Sequence, residues 1–203
     1  MLLLQEEIDS RKQKRKELLI RNAKLGVVKH LVDFDYSVVP KLNKQKILEF
    51  TSCGFIEQAN NIIFVGPTGV GKSMLSKAIA FEACCKNYKV RFTRTAKMLE
   101  EIYAGKADGS YAKRMDLFIK PDLLVLDDWG LTDFSNQFLH IINEIISERY
   151  ERGSLIISSN RPIEHWDELF HEPVVSSALL DRVFHNAHVI KIEGKSYRRR
   201  LNL

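Results

Sequence analysis

The chain has 203 residues, is 45% hydrophobic and carries a formal net charge of +5, enough apolar material for one substantial core and a modest appendage. No stretch approaches the run of about eighteen apolar residues that crosses a bilayer, and Met1-Leu2-Leu3-Leu4 meets Gln5-Glu6-Glu7 without the basic start of a signal peptide. Cys53, Cys84 and Cys85 lack zinc spacing and cannot all pair, and the six histidines show no metal pattern, so the composition reads as a cytoplasmic protein with reduced thiols and no membrane partner.

Residues 1–30 read as helical, with Leu18 and Leu19 set among basic positions such as Arg21 and Lys24. Charge is concentrated here: residues 11–24 hold seven Lys/Arg and one Glu, residues 191–200 five and one, and the rest of the chain is net acidic. A helix bearing Arg11, Lys12, Lys14, Arg15, Lys16, Arg21 and Lys24 has the electrostatic footprint of nucleic-acid binding, because neutralised phosphates release counterions. A solvated helix face is the bland alternative. Residues 31–40 (LVDFDYSVVP) look extended, and Lys41 to Phe55 returns to helical spacing with Gly54 as a stop.

From about Gln58, strands and helices alternate: strand 61–65, helix 72–86, strand 89–93, helices within 95–119, strand 123–127, helix 136–152, strand 154–159, short helices from Glu164, and a last strand over Ala187 to Ile192. That order predicts an α/β fold, a parallel sheet with helices on both faces, preceded by a small helical N-terminal region. The division expected is 1–57 for the basic helical region and 58–203 for the core.

The first strand runs into Gly66-Pro67-Thr68-Gly69-Val70-Gly71-Lys72-Ser73, and a helix follows. Strand, glycine-rich loop and helix are the context of a phosphate-binding loop. Gly66, Gly69 and Gly71 are expected to permit the torsions that turn successive N–H groups inward around an anion. The helix N-terminus adds its unpaired donors, Lys72 reaches the terminal phosphates, and Ser73 supplies a hydroxyl ligand for Mg²⁺. The chain is therefore expected to bind a nucleoside triphosphate.

The run Leu123 to Leu126 has the composition of a strand covered on both faces and ends in Asp127-Asp128. Asp127 suits the Mg²⁺ shell, and Asp128 suits orienting the attacking water and taking its proton. Strand 154–159 ends in Ser158-Ser159-Asn160. Spacing alone leaves three readings open there: Asn160 as a γ-phosphate sensor, Ser159 in that role, or a turn ahead of Pro162.

Together these segments resemble the IstB-like transposition helper ATPases, relatives of the DnaC helicase loaders within the AAA+ class. The resemblance rests on the basic first helix, DFDYSVVP, GPTGVGKS, LLVLDDWG, SLIISSNRP with Trp166, SALLDRVFH and the closing GKSYRRR, and runs over nearly the whole chain. It implies an AAA+ core, Asn160 as sensor, and Arg182 as an arginine finger reaching the γ-phosphate held by a neighbouring subunit. Two departures stand out. The acid pair is Asp-Asp where many AAA+ proteins carry Asp-Glu, which implies slow hydrolysis. Only about ten residues follow the last predicted strand, so a helical lid with its second sensor arginine is not expected, leaving Arg198, Arg199 and Arg200 as possible stand-ins.

The function expected is an ATP- and Mg²⁺-dependent ATPase that binds duplex DNA with little sequence preference, assembles as a ring or helical oligomer with ATP between subunits, and assists a transposase. The rivals are a helicase loader that grips single-stranded DNA and a nucleotide-regulated interaction module with negligible turnover.

Overall fold

The computed structural model describes residues 2–131, 134–170, 172–194, 196 and 197. Five parallel strands form one sheet: β1 (Asn61–Val65), β2 (Val90–Arg94), β3 (Leu123–Trp129), β4 (Ser154–Ser159) and β5 (Ala187–Lys191), in the order β2-β3-β4-β1-β5. β1 and β4 are buried along their whole length because helices cover both faces of the sheet. The register pairs Ile62 with Ile156 and Val125 with Ile156, so β-branched residues meet across neighbouring central strands.

Successive strand residues alternate between two apolar layers. Ile62, Phe64, Leu123, Val125 and Ile156 face the layer built by α1 (Leu2–Ala23), α2 (Lys44–Glu49), α3 (Gly54–Glu57) and α4 (Lys72–Cys85). Ile63, Val65, Leu124, Leu126 and Ile157 face α5 (Thr95–Asp108), α6 (Tyr111–Ile119), α7 (Asn136–Arg149) and α8 (Pro173–Phe184). The period of two along each strand is what supplies both layers from one sheet. The expected alternation of elements and the parallel sheet are therefore present. Ala23, Leu25, Phe34 and Val38 belong to the same core layer as the sheet residues.

Four local expectations are corrected. Residues 31–40 are not extended: Leu31–Asp33 and Tyr36–Val38 are single 3-10 turns. Asp33 accepts from the His30 backbone N–H and Asp35 from that of Ser37, and such local captures favour turns over strands. Gly54 does not stop the preceding helix; the left-handed residue is Cys53, at φ 67°, and Gly54 opens α3. The short helices expected from Glu164 are two 3-10 turns starting at Ile163, but they are followed by the twelve-residue α8, with Pro173 in its first turn, where an N–H would have no intrahelical partner. β3 extends to Trp129, two residues beyond expectation, through an irregularity between Leu126 and Trp129 in its pairing with β4.

Among the described residues no helix is long and apolar enough to cross a membrane.

Candidate active site

The loop 66–73 joins the end of β1 to the start of α4, at the carboxyl edge of the sheet, where open α/β sheets gather ligand chemistry. Gly69 and Gly71 lie at φ 87° and 99°. Gly66 needs glycine for a different reason than the torsional one expected: a Cβ there would collide with the carbonyl oxygen of Ile192, just past β5. At Gly71 the constraint is doubled, since a Cβ would also come within 2.5 Å of the Phe34 ring. Lys72 is buried and its Nζ donates to the carbonyls of Gly66 (2.6 Å) and Pro67 (2.8 Å), so its ammonium lies across the loop.

Asp127 is the polar centre of the site. Its carboxylate is buried, and Oδ1 accepts from the Ser73 hydroxyl at 2.8 Å and from the Ser158 hydroxyl. The first of these links the loop to β3 across 54 positions of sequence. Its backbone carbonyl accepts from the Thr95 hydroxyl at 3.1 Å, which ties the start of α5 to the same strand end. Hydroxyl and carboxylate oxygens side by side are the hard donors that Mg²⁺ takes, so Ser73 and Asp127 fit that ion.

Asp128 is the exposed residue in an otherwise buried strand. Its φ of 57° is left-handed, unusual for a non-glycine residue, and this bulge-like distortion leaves its side chain exposed next to the buried Asp127. Arg94 Nε, at the end of β2, stands 3.5 Å from Asp128 Oδ2, with the two side chains 73% and 44% exposed. Sequence reasoning missed Arg94, since nothing in its neighbourhood marks it before β2 and β3 are known to pair.

Ser159 and Asn160 separate in the fold. Ser159 is buried and its hydroxyl donates to the Trp129 carbonyl at 2.8 Å, locking β4 to β3. Asn160, the next residue, is exposed just past the end of β4, between β3 and β1. Ser158, in the same polar strand end, meets Asp127 instead, a contact set by the pairing of β4 with β3 that the sequence alone does not reveal.

Arg182 is at the far end of the molecule. It lies in the last turn of α8, donates weakly to the Ala178 carbonyl at 3.5 Å, and lines a small cleft with Asn61, Leu155 and Asn186, which stand at or near the amino ends of β1, β4 and β5. The loop starts at the other end of β1, about 13 Å further on. Arg182 therefore cannot serve the loop of its own chain.

Phe34 and Tyr197 both press on the loop. Tyr197 donates its backbone N–H to the Gly69 carbonyl at 2.9 Å and its hydroxyl to the Asp35 carbonyl, and its ring lies edge-on to Phe34 with centroids 5.9 Å apart. Arg198, Arg199 and Arg200 lie outside the described residues. Of the basic residues on α1, Arg11, Lys12, Lys14, Arg15 and Arg21 are exposed and Lys16 is half-buried; Lys24, just past the helix end, is exposed as well.

The family model for the IstB-like ATP binding protein matches residues 1–203. A protein named as the ATP-binding protein of insertion sequence IS5376 from Geobacillus stearothermophilus is 30% identical over 198 residues, covering 98% of this chain and 79% of that one. Its counterpart in insertion sequence IS232 from Bacillus thuringiensis is 34% identical over 192 residues, covering 95% and 77%. Among solved structures, the DnaC helicase loader superposes with a TM-score of 0.66 at 21% identity, covering 86% of this chain and 98% of that chain. DnaI gives 0.69 at 22%, covering 87% and 94%. At these identities the two structures establish the shared fold, that of P-loop NTPases.

Proposed function

The chain belongs to the family of IstB-like ATP-binding proteins, and on that premise we propose that it is a self-assembling, DNA-binding ATPase that assists a transposase in moving an insertion sequence. The observation that carries the ATPase reading is the Ser73–Asp127 hydrogen bond, which sets a buried carboxylate against a phosphate-type loop. Residues 66–73 would cradle the triphosphate, with Lys72 exchanging the Gly66 and Pro67 carbonyls for phosphate oxygens. Ser73 and Asp127 would hold Mg²⁺, which when bound neutralises charge on the terminal phosphates. Asp128, exposed next to Asp127, would orient the water and accept its proton, a role worth about 10²–10⁴ in rate. Asn160, beside it at the end of β4, would hydrogen-bond the γ-phosphate or that water.

Arg182 completes a site only in trans. Its place at the amino ends of the strands supports a head-to-tail arrangement, in which one subunit supplies the loop and the next supplies Arg182. Such an interface repeats into a ring or a helical filament and makes assembly depend on nucleotide. Assembly would range the basic α1 helices along duplex DNA, where weak phosphate contacts multiply without reading sequence. In this scheme residues 1–57 meet DNA and partner while 58–203 form the ATPase core. The insertion-sequence relatives support a transposase as that partner. Phe34 and Tyr197, which touch Gly71 and Gly69, offer a mechanical path from the loop to the segment that follows α1.

The test is fluorescence anisotropy with matched duplex and single-stranded DNA, with ADP or a non-hydrolysable ATP analogue. The expected result is duplex binding that needs the analogue and weakens about 10³-fold between roughly 50 and 200 mM salt if six or more phosphates are neutralised. Preference for single strands would move the reading to a helicase loader. Absence of DNA binding in every nucleotide state would leave an interaction switch.

A further inference from the structure

Residues 192–194, 196 and 197 touch the loop 66–73 and the segment 31–41 in turn. Ile192 donates its N–H to the Val65 carbonyl at 2.7 Å, where β1 enters the loop. Glu193 pairs with Lys41 at 2.7 Å on the other side. Gly194 lies so close to the Val38 carbonyl and the Val39 side chain that a Cβ there would strike both. Ser196 returns to the loop, where its hydroxyl leaves no room for a Cβ on Gly69. Tyr197 then holds both sides at once, through its N–H on the Gly69 carbonyl at 2.9 Å and its hydroxyl on the Asp35 carbonyl.

The contact at Gly69 fixes the orientation of a whole peptide group. A trans peptide points its carbonyl and the following N–H in opposite directions. With the Gly69 carbonyl held by Tyr197, the Val70 N–H is turned away from residues 192–197, as a loop that closes around an anion on its inner side requires. Gly69, at φ 87°, has no Cβ to restrain that peptide. The fully buried Val70 side chain anchors one end of it, and Tyr197 holds the other. On the far side, Val38 and Val39 belong to the core layer that also takes in Ala23, the last residue of α1. The pair of Lys41 with Glu193 is exposed and adds little, so the hold is concentrated at Tyr197.

On the reading of 66–73 as a nucleotide loop, we propose that residues 192–197 are a strap that sets the loop for phosphate and ties it to the segment following α1. Tyr197 is the positioning residue on both sides. It reaches the loop through Gly69 and the segment through Asp35, and its half-buried ring, edge-on to Phe34 with centroids 5.9 Å apart, braces the two attachments. A phosphate bound to the loop N–H groups favours the peptide orientation that the strap holds, so binding firms the attachment at Gly69. The strap passes that restraint to residues 34–39, whose 3-10 turn is closed by local bonds from the Val39 N–H to the Tyr36 carbonyl and from the Ser37 N–H to Asp35. Turns of this kind open by local fluctuation, and a tie to a liganded loop makes such openings rarer. The coupling is reciprocal, so contacts that hold residues 34–39 also hold the loop.

The test is a fluorescent-ATP titration together with hydrogen exchange read by mass spectrometry, on wild type, Tyr197→Pro, Gly194→Val and Tyr197→Phe, each first matched to wild type by circular dichroism. Tyr197→Pro lacks the N–H that holds Gly69 and should bind nucleotide about fivefold to tenfold more weakly, as one lost hydrogen bond implies. Gly194→Val lifts the strap from Val38 without touching Tyr197 and should weaken binding in the same direction. Tyr197→Phe keeps the N–H and the ring, so its affinity should stay within about twofold of wild type. In wild type, a non-hydrolysable ATP analogue should slow exchange of the 34–39 amides by about fivefold or more. In Tyr197→Phe, which has lost the hydroxyl bond to Asp35, that slowing should disappear while nucleotide still binds, a separation that a purely structural tyrosine would not produce. Undiminished nucleotide affinity in both Tyr197→Pro and Gly194→Val overturns the positioning role, and tighter binding by either does so as well, since the strap would then be a plug. Equal slowing at 34–39 in wild type and Tyr197→Phe overturns the coupling. A wild type that binds no nucleotide overturns the loop reading itself, which separates that failure from failure of the strap.

Discussion

Arg182 lies at the amino ends of the strands and the loop at their carboxyl end, about 13 Å apart along β1 alone, so on the proposed reading Arg182 acts on the site of a neighbouring subunit. Lys72→Ala removes the loop's cation but leaves Arg182; Arg182→Ala leaves the loop but removes the finger. Each variant alone is expected to lose turnover, by about 10³-fold or more for Arg182→Ala if the arginine stabilises the transition state as fingers do. Mixed in equal amounts, the two restore it. A working interface needs an intact loop, present on half the chains, facing an intact finger, also on half, so random assembly recovers roughly one quarter of wild-type turnover. The assay is phosphate release with DNA present, titrating one variant into the other at fixed total protein. A mixture that never exceeds the mean of the two single variants would refute the trans arrangement, and retained activity in Arg182→Ala would refute the finger itself.

Further outcomes follow from individual contacts. Arg94 holds Asp128 through an exposed pair, worth at most about 1 kcal/mol, so Arg94→Ala should raise basal ATP turnover no more than about fivefold, measured as phosphate release, whereas Asp128→Asn should abolish it. Gly71→Ala should weaken nucleotide binding in a fluorescent-ATP titration, because it meets both a φ of 99° and the Phe34 ring; restored affinity in Gly71→Ala with Phe34→Ala would isolate the steric part. Arg149 is buried and donates to the carbonyls of Phe118, Ile119, Pro121, Asp122 and Ser154, so Arg149→Met strands several acceptors and should cost about 3–5 kcal/mol, lowering Tm by roughly 10 °C in thermal unfolding. Burial pushes the Cys53 thiol up to about 11 and that of Cys84 up to about 12, leaving both protonated at pH 8; iodoacetamide on the folded protein should label Cys85 and reach the other two only after denaturation, read by mass spectrometry.

The parallel sheet was legible because its signals are local and strong. An apolar run, a glycine-rich turn and an amphipathic helix each follow from a few neighbouring residues, and repeating them in order leaves few topologies open. The loop 66–73 was legible for the same reason, since its function is written in contiguous backbone. Counting placed Asp127 near the carboxyl end of its strand, although β3 runs two residues further, to Trp129. What local pattern could not supply is anything set by pairing across the sheet. Arg94 meets Asp128 because β2 and β3 are neighbours in a given register, which places Arg94 opposite Asp127. Ser158 meets Asp127 because β4 lies on the other side of β3.

The errors share one physical origin. Residues 31–40 looked extended because Val, Phe and Tyr favour strands, yet Asp33 and Asp35 captured neighbouring N–H groups and won locally. Gly54 looked like a helix stop because glycine tolerates left-handed torsions, but Cys53 took that conformation, held in place by a side chain that is fully buried in the core. Gly66 was read as a torsional glycine when its real constraint is the carbonyl of Ile192, 126 positions away. In each case a propensity that describes a residue alone was overridden by a contact that exists only once the chain is folded. The same logic bears on Arg182: a lone arginine at the amino ends of the strands has no use within one chain, and on the proposed reading it acquires one when a second chain supplies the triphosphate.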